Sequence, residues 1–368
     1  MAKSTKSPEA SQQLRVAAEE AYAHELEALA GADTKPKPTG WKLSPQAVVT
    51  YLMGGKLPNG TEITAKYVGN RRLIETAVAT LATDRALMLL GVPGTAKSWV
   101  SEHLAAAISG NSQRLIQCTA GTDENHIRYG WNYAMLLAKG PSRAALVPTP
   151  LMRAMEEGSL LRLEELTRMG SDVQDTLITV LSEKILPIPE LNDAVHAQRG
   201  FNVIATANNR DKGVNELSSA LKRRFNVVVL PLPDDLDEET AIVVKRMNEI
   251  GTGLSLPEIE PVDKEMARVV TIFREMRDGQ TLNGKQKLKT PSGTLSTAEA
   301  ISVGIGAWAE AAHFGSGAID ATALSVNLVG AIVKDPLQDK IVLQEYLESV
   351  LRERAGWRDL YDAIRGVM

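Results

Sequence analysis

The sequence predicts an α/β domain, a parallel sheet with helices on both faces, followed by an all-α domain. Between residues 86 and 230, short apolar strand candidates alternate with helical segments, the pattern of crossover connections in a parallel sheet. A glycine-rich loop joins the first of these strands directly to a helix. Past Pro231-Leu232-Pro233 the strand candidates cease and only helical segments follow. With 368 residues, 44% apolar and 23% charged, the chain is long enough to bury two cores rather than one.

The elements follow in order. Residues 3–27 are polar and alanine-rich with a helical look and end in the linker-like run 31–40, which carries Pro36 and Pro38; together 1–42 read as a flexible N-terminal arm. Ser44-Pro45 resembles an N-cap with proline at the first helical position, opening a helix to about residue 53. Pro58-Asn59-Gly60 marks a turn, and helical periodicity runs over 71–81. Strands are expected at 86–90, 114–118, 160–163, 201–205 and 226–230, with a long irregular excursion between the second and third. Helices are expected at 238–249, 263–277, 297–313, 321–333 and 340–354. The resulting division is an arm at 1–42, an α/β domain at 43–233, a linker at 234–256 that opens with the acidic run 234–239, and a helical domain at 257–368.

Four segments carry chemistry. The first, Gly91-Val92-Pro93-Gly94-Thr95-Ala96-Lys97-Ser98, has the parts of a phosphate-binding loop. Glycines let backbone N–H groups approach a triphosphate, a lysine meets the outer phosphates, and a hydroxyl meets Mg2+, all at the positive end of a helix. The general pattern places glycine just before the lysine, where this chain has Ala96. The second segment is the apolar run ending in Glu164-Glu165. One carboxylate at a strand end holds hydrated magnesium, and its neighbour polarises the attacking water. The third, 202–209, would bring Asn208 beside the γ-phosphate to orient that water. The fourth, Lys222-Arg223-Arg224-Phe225, offers an arginine to charge developing on the transferred phosphoryl group. Taken singly, each has a plainer reading: a connecting turn, a solvated helix start, a turn asparagine and a basic helix end.

In this order the words GVPGTAKS, LLRLEEL, VIATANN and ALKRRF resemble those of the AAA+ ATPases, and within them the MoxR-type group. The resemblance covers residues 64–330. It implies a P-loop AAA+ domain followed by an all-α lid domain, assembling as a homo-oligomeric ring, usually a hexamer, with ATP and Mg2+ between subunits. It implies that Lys97 meets the β and γ phosphates, Ser98 and Glu164 serve the metal, Glu165 polarises water, Asn208 is the sensor and Arg224 is the finger in trans. The nucleotide would lie against Gly91, Pro93, Gly94, Thr95, Ala96, Lys97, Ser98 and Trp99, with Val68 and Gly69 flanking the adenine. Two excursions resemble the group's hairpin insertions. One would pair 133–137 with 143–147, and the other would pair 185–188 with 194–197.

Two departures stand out. Relatives usually have aspartate before the glutamate, and the extra methylene of Glu164 moves a carboxylate by roughly an ångström, which is expected to weaken magnesium geometry and slow turnover. Where many relatives carry a lid arginine, this chain has Thr297 or Ala298. The resemblance implies a remodelling, chaperone-like ATPase acting on a partner protein, such as one with a von Willebrand factor A domain. An ATP-assembled scaffold ring with very slow hydrolysis is the alternative that these departures favour. A nucleic-acid motor is disfavoured by the formal charge of −4. Cys118 is the single cysteine and no intrachain disulfide is possible. With no apolar signal core at the N-terminus and no membrane-spanning run, the expected compartment is the cytoplasm.

Overall fold

Alternation along each strand builds two cores, one on either side of a single sheet. The computed structural model describes residues 13–208, 215–260, 262–315 and 317–368. Its central sheet is formed by β1 (Ala86–Gly91), β2 (Leu115–Gln117), β3 (Leu160–Glu164), β4 (Asn202–Asn208) and β5 (Phe225–Val229). The five strands lie in the order β5-β1-β4-β3-β2, and every neighbouring pair is parallel. Leu87, Leu89, Leu160, Ile204 and Val228 share one buried cluster with Leu52, Ile74 and Leu104 from helices Pro45–Met53, Arg71–Leu81 and Lys97–Ser109. Ala86, Met88, Leu161, Leu163, Val203 and Ala205 share another with Leu151 and Leu181 from helices Pro150–Glu157 and Leu177–Glu183. Burial on both faces is what crossover helices impose on a parallel sheet.

Local chemistry sets the helix ends. The Ser44 side chain accepts from the Ala47 N–H at 3.3 Å, with Pro45 in the first turn, as its sequence predicts. The same device opens Pro150–Glu157: Thr149 accepts from the Met152 N–H, Pro150 follows, and the helix closes on left-handed Gly158. This helix lies in the stretch expected to be irregular.

Three other expectations are corrected. Residues 1–12 of the expected arm lie outside the described residues, but the rest is not a free arm. Helices Ala18–Ala21 and Ala23–Ala32 bury Ala18 and Leu29. Glu25 accepts from the Thr64 N–H and hydroxyl and pairs with Lys66, and Glu19 accepts from the Ser112 N–H. Glu19 and Glu25 are therefore partners of the sheet domain rather than solvated charges. The first insertion is not a hairpin of 133–137 with 143–147. Its strands are Tyr129–Trp131 and Leu146–Pro148, paired antiparallel, while Tyr133–Lys139 is helical because Asn132 caps it by accepting from the Met135 N–H. The second insertion does pair, Ile185–Ile188 with Asp193–His196.

The third correction concerns the linker. The chain divides into two compact units: one runs through residue 231 but for loop residues 93–95, and the other comprises those residues and 232–368. The helix expected at 238–249 is present but longer, Leu236–Gly253 capped by Asp235, so that it takes up most of the expected linker, and its Val243 and Met247 are fully buried in the second unit's core. That core also gathers helices Asp263–Asp278, Thr297–Phe314, Ala321–Ile332, Asp339–Tyr346 and Arg358–Val367. Among the described residues, no helix is long and apolar enough to cross a membrane.

Candidate functional site

β1 delivers the chain into the glycine-rich loop, and the helix Lys97–Ser109 leaves it. Ala96 is the N-cap of that helix, yet it has φ 60 and makes no side-chain cap hydrogen bond. An alanine in the left-handed region costs about 1–2 kcal/mol, which is why the general pattern has glycine here. Alanine supplies no side-chain cap to this helix start, and a helix N-terminus is the end that favours an anion. Lys97 is 8% exposed, and its Nζ donates to the carbonyls of Gly91 at 2.9 Å and Val92 at 2.8 Å. The loop's own backbone thus holds the ammonium. Pro93 and Gly94 are half-buried and Thr95 is buried.

The C-terminal ends of β3 and β4 complete the site. Leu161 and Leu163 join one core, so alternation turns Arg162 and Glu164 to the opposite face, toward the helix Lys97–Ser109. Glu164 is 3% exposed and has a donor on every side. At Oε2 it accepts from the Ser98 hydroxyl at 2.6 Å and the Thr206 hydroxyl at 2.7 Å. At Oε1 it accepts from the Ser101 hydroxyl and from Arg162 Nη2 at 2.9 Å. Burial pushes the Glu164 carboxyl up, but the Arg162 guanidinium and the three hydroxyls outweigh it and hold the group below the usual carboxylate range. It is an ionised, enclosed carboxylate.

Glu165, the next residue, also adopts a left-handed conformation, with φ 58. Its N–H donates to the Thr206 hydroxyl at 3.0 Å, and its half-exposed carboxylate pairs with Arg168. A strained backbone at this bend aims Glu164 inward and leaves Glu165 at the surface. Asn208 stands opposite Gly91 in the β4–β1 register, so the structure brings Asn208 to the loop's edge of the sheet; Asn209 lies outside the described residues. Buried Cys118 donates its N–H to the Glu164 carbonyl, and burial, with Glu164 and Glu165 nearby, pushes its thiol up to about 12. It is an inert thiol.

Other expected residues lie away from this cluster. Arg224 precedes β5, whose Phe225 pairs with Ala86 at the start of β1, so it stands at the far end of the sheet, about 17 Å along the strand from the loop. There its Nε donates to the Ser182 hydroxyl at 2.6 Å and its Nη1 to the Ala220 carbonyl. Val68 is exposed, Gly69 has φ 136, and Asn70 caps the helix Arg71–Leu81. Trp99 Nε1 donates to the Lys66 carbonyl at 2.8 Å, tying the helix after the loop to the segment that carries Val68 and Gly69. Sequence reasoning missed Arg162, Ser101 and Thr206. The signal for Arg162 was a charge at an alternate position of an otherwise apolar strand.

The donor set fits a magnesium nucleotide. Ser98 is exposed and gives its proton to Glu164, so its lone pairs remain for a cation. Among the described residues, no group of three or more His, Cys, Asp or Glu side chains surrounds a metal position. A protein hydroxyl completed by phosphate oxygens and water suits Mg2+.

The sequence is similar to those of known proteins. Residues 86–225 match the AAA domain family (dynein-related subfamily), and residues 237–368 match the YehL-like AAA+ ATPase C-terminal domain. The chain is 41% identical over 354 residues to the uncharacterized protein YehL of Escherichia coli strain K12, covering 93% of this chain and 94% of that one. It is 27% identical over 153 residues to uncharacterized protein SH1500 of Staphylococcus haemolyticus, covering 41% of this chain and 57% of that one. Among solved structures, NtrX from Brucella abortus in complex with ATP gives a TM-score of 0.48 at 13% identity, covering 80% of this chain and 59% of that one.

Proposed function

The chain belongs to the YehL-like AAA+ ATPases, and from that premise we propose that it binds ATP with Mg2+ and hydrolyses it. The observation that carries this reading is the Ser98–Glu164 hydrogen bond of 2.6 Å beside an uncapped helix start and a loop-held Lys97. Lys97 neutralises the outer phosphates, and Ser98 presents a lone pair to the cation. Glu165, half-exposed and rigidly placed by the Thr206 hydroxyl, polarises the attacking water, with Asn208 orienting it. Gly91, Pro93, Gly94, Thr95 and Ala96 wrap the phosphates, and Val68, Gly69 and Trp99 flank the base.

Arg224 supports a ring of subunits. A strand's length separates it from its own loop, so its charge serves a phosphoryl group only on a neighbouring copy. The motifs favour the MoxR-type group, a hexameric assembly and a chaperone-like motor working on a partner protein, of which one with a von Willebrand factor A domain is the resemblance-based choice. Cytoplasmic residence is part of the same reading.

A panel of three variants tests it. Lys97→Ala is expected to lose ATP binding. Glu165→Gln should keep binding while turnover falls by roughly 10²–10⁴-fold. Arg224→Ala should likewise bind without hydrolysing, and mixing it with Glu165→Gln should restore some turnover at interfaces that combine both intact halves. Equal loss of ATP binding in Lys97→Ala and Glu165→Gln would overturn the role assignment; full activity in Arg224→Ala would remove the ring interface.

A further inference from the structure

The magnesium-side carboxylate is more crowded than its role requires. A carboxylate's two oxygens offer about four lone-pair sites, and Glu164 has a donor for each: Ser98 and Thr206 on Oε2, Ser101 and Arg162 on Oε1. Arg162 is itself buried and makes four hydrogen bonds here. Its Nε donates to the Ser101 hydroxyl at 3.0 Å, Nη1 to the Ser112 carbonyl at 3.0 Å, and Nη2 to the Ser98 carbonyl at 3.1 Å as well as to Glu164. A guanidinium fixed at both ends of the first helical turns and beneath the carboxylate has no freedom to leave when a ligand arrives.

We propose that Arg162 is the positioning residue of the metal site: it occupies Glu164 Oε1 and balances its charge, so that Glu164 meets the cation only through Ser98. This inference rests on the nucleotide reading above and deepens it. Two consequences follow from the geometry. The extra methylene of Glu164, set against the usual aspartate, is what allows one carboxylate to reach Arg162 and Ser101 on one oxygen and Ser98 and Thr206 on the other. The Thr206 hydroxyl that donates to Glu164 also accepts from the Glu165 N–H, so the position set by Arg162 is passed on to the residue assigned to the water. Arg162 also places a positive charge beside the cation's site and weakens cation binding there.

The test reads cation dependence separately from turnover. A fluorescent, non-hydrolysable ATP analogue is titrated onto the full chain at increasing Mg2+, and the Mg2+ midpoint of binding is compared among variants. Wild-type protein that does not bind the analogue defeats the nucleotide reading itself, before any variant is made. Given binding, Arg162→Met should lower the Mg2+ midpoint by roughly three- to tenfold, because a competing charge is gone and Oε1 is released to the cation. Its ATP turnover should fall, because Glu165 loses its support. Arg162→Lys keeps the charge and should hold the midpoint within about twofold of wild type while recovering part of the turnover. Ser101→Ala frees one Oε1 site without removing charge and should shift the midpoint in the same direction by less. An arginine that only ties the sheet to the helix would lower stability and turnover and leave the midpoint alone. An unchanged midpoint in Arg162→Met overturns the proposal; if that variant does not fold, an unchanged midpoint in Ser101→Ala does so.

Discussion

Two helices in this chain begin alike and end up with opposite uses. The helix Lys97–Ser109 and the helix Thr297–Phe314 each offer a hydroxyl from the first turn to a buried glutamate that is paired with arginine. In the first case Ser98 donates to Glu164, which pairs with Arg162. In the second Thr297 donates to Glu239 at 2.7 Å, and Glu239 pairs with Arg274 and Arg277. The difference lies in what remains unsatisfied. Ser296 and Glu299 close a capping box over the second helix start, and Thr297 is buried. The first start has no side-chain cap, and Ser98 is exposed. The same ingredients hold a domain together where the helix start is capped and its hydroxyl buried, and suit a ligand where the start carries no side-chain cap and the hydroxyl is exposed.

The sharpest way to break the comparison is to remove the glutamate of the closed site. Glu239→Ala leaves Arg274 and Arg277 enclosed without their shared counter-charge, and the expected loss is about 3–5 kcal/mol of stability. Denaturant unfolding of the full chain measures it. A loss below about 1 kcal/mol would show that the two arginines find other acceptors, such as the backbone carbonyls of Pro233, Asp234, Asp235 and Leu295 that they already contact.

At the open site the corresponding change is gentler to the fold and harsher to function. The family resemblance implies aspartate where this chain has Glu164, and the sequence alone suggests that Glu164→Asp would preserve or raise turnover. The four donors around Glu164 reverse that expectation. A carboxylate set back toward the backbone by one methylene no longer reaches all four of Arg162, Ser101, Ser98 and Thr206, so turnover should drop tenfold or more, equivalent to about 1.4 kcal/mol of barrier. Steady-state phosphate release decides it, and turnover at or above wild type would mean that the longer side chain is dispensable.

Much of this was legible in the sequence because it is local. The loop motif, the helix Arg71–Leu81 and the strand pair Ile185–Ile188 with Asp193–His196 follow from turn chemistry and periodicity over a few residues. The signal for Pro150–Glu157 was equally local, in Thr149, Pro150 and Gly158, and was masked by the apolar residues around the first insertion. The remainder is tertiary. Nothing near Glu25 in sequence announces Thr64 and Lys66 as its partners, and nothing in 234–256 announces that Glu239 will be neutralised by Arg274 and Arg277. Arg162 lay between the two kinds of signal. Strand alternation places it on the face of Glu164, while the other acceptors that make its burial tolerable are the Ser101 hydroxyl and the Ser98 and Ser112 carbonyls, all distant in sequence.

The smallest expected effects come from the caps themselves. Ser296→Ala removes the side chain that accepts from the Glu299 N–H and should cost about 1 kcal/mol, the ordinary worth of a serine N-cap. At the open helix the analogous repair should fail. An N-cap side chain reaches back to the first-turn N–H groups from an extended backbone, whereas Ala96 sits at φ 60 and ψ 21, so Ala96→Ser should bring no stabilisation. Ala96→Gly should bring a little. Glycine relieves the left-handed strain of about 1–2 kcal/mol but adds about 0.4–1 kcal/mol of freedom to the unfolded chain, which leaves a net gain of about 0.8 kcal/mol. Thermal unfolding of the three variants without nucleotide distinguishes the cases. A stabilised Ala96→Ser would show that this helix start relaxes to an ordinary capped geometry when no ligand holds it, and the contrast between the open and closed starts would then be one of occupancy rather than of backbone.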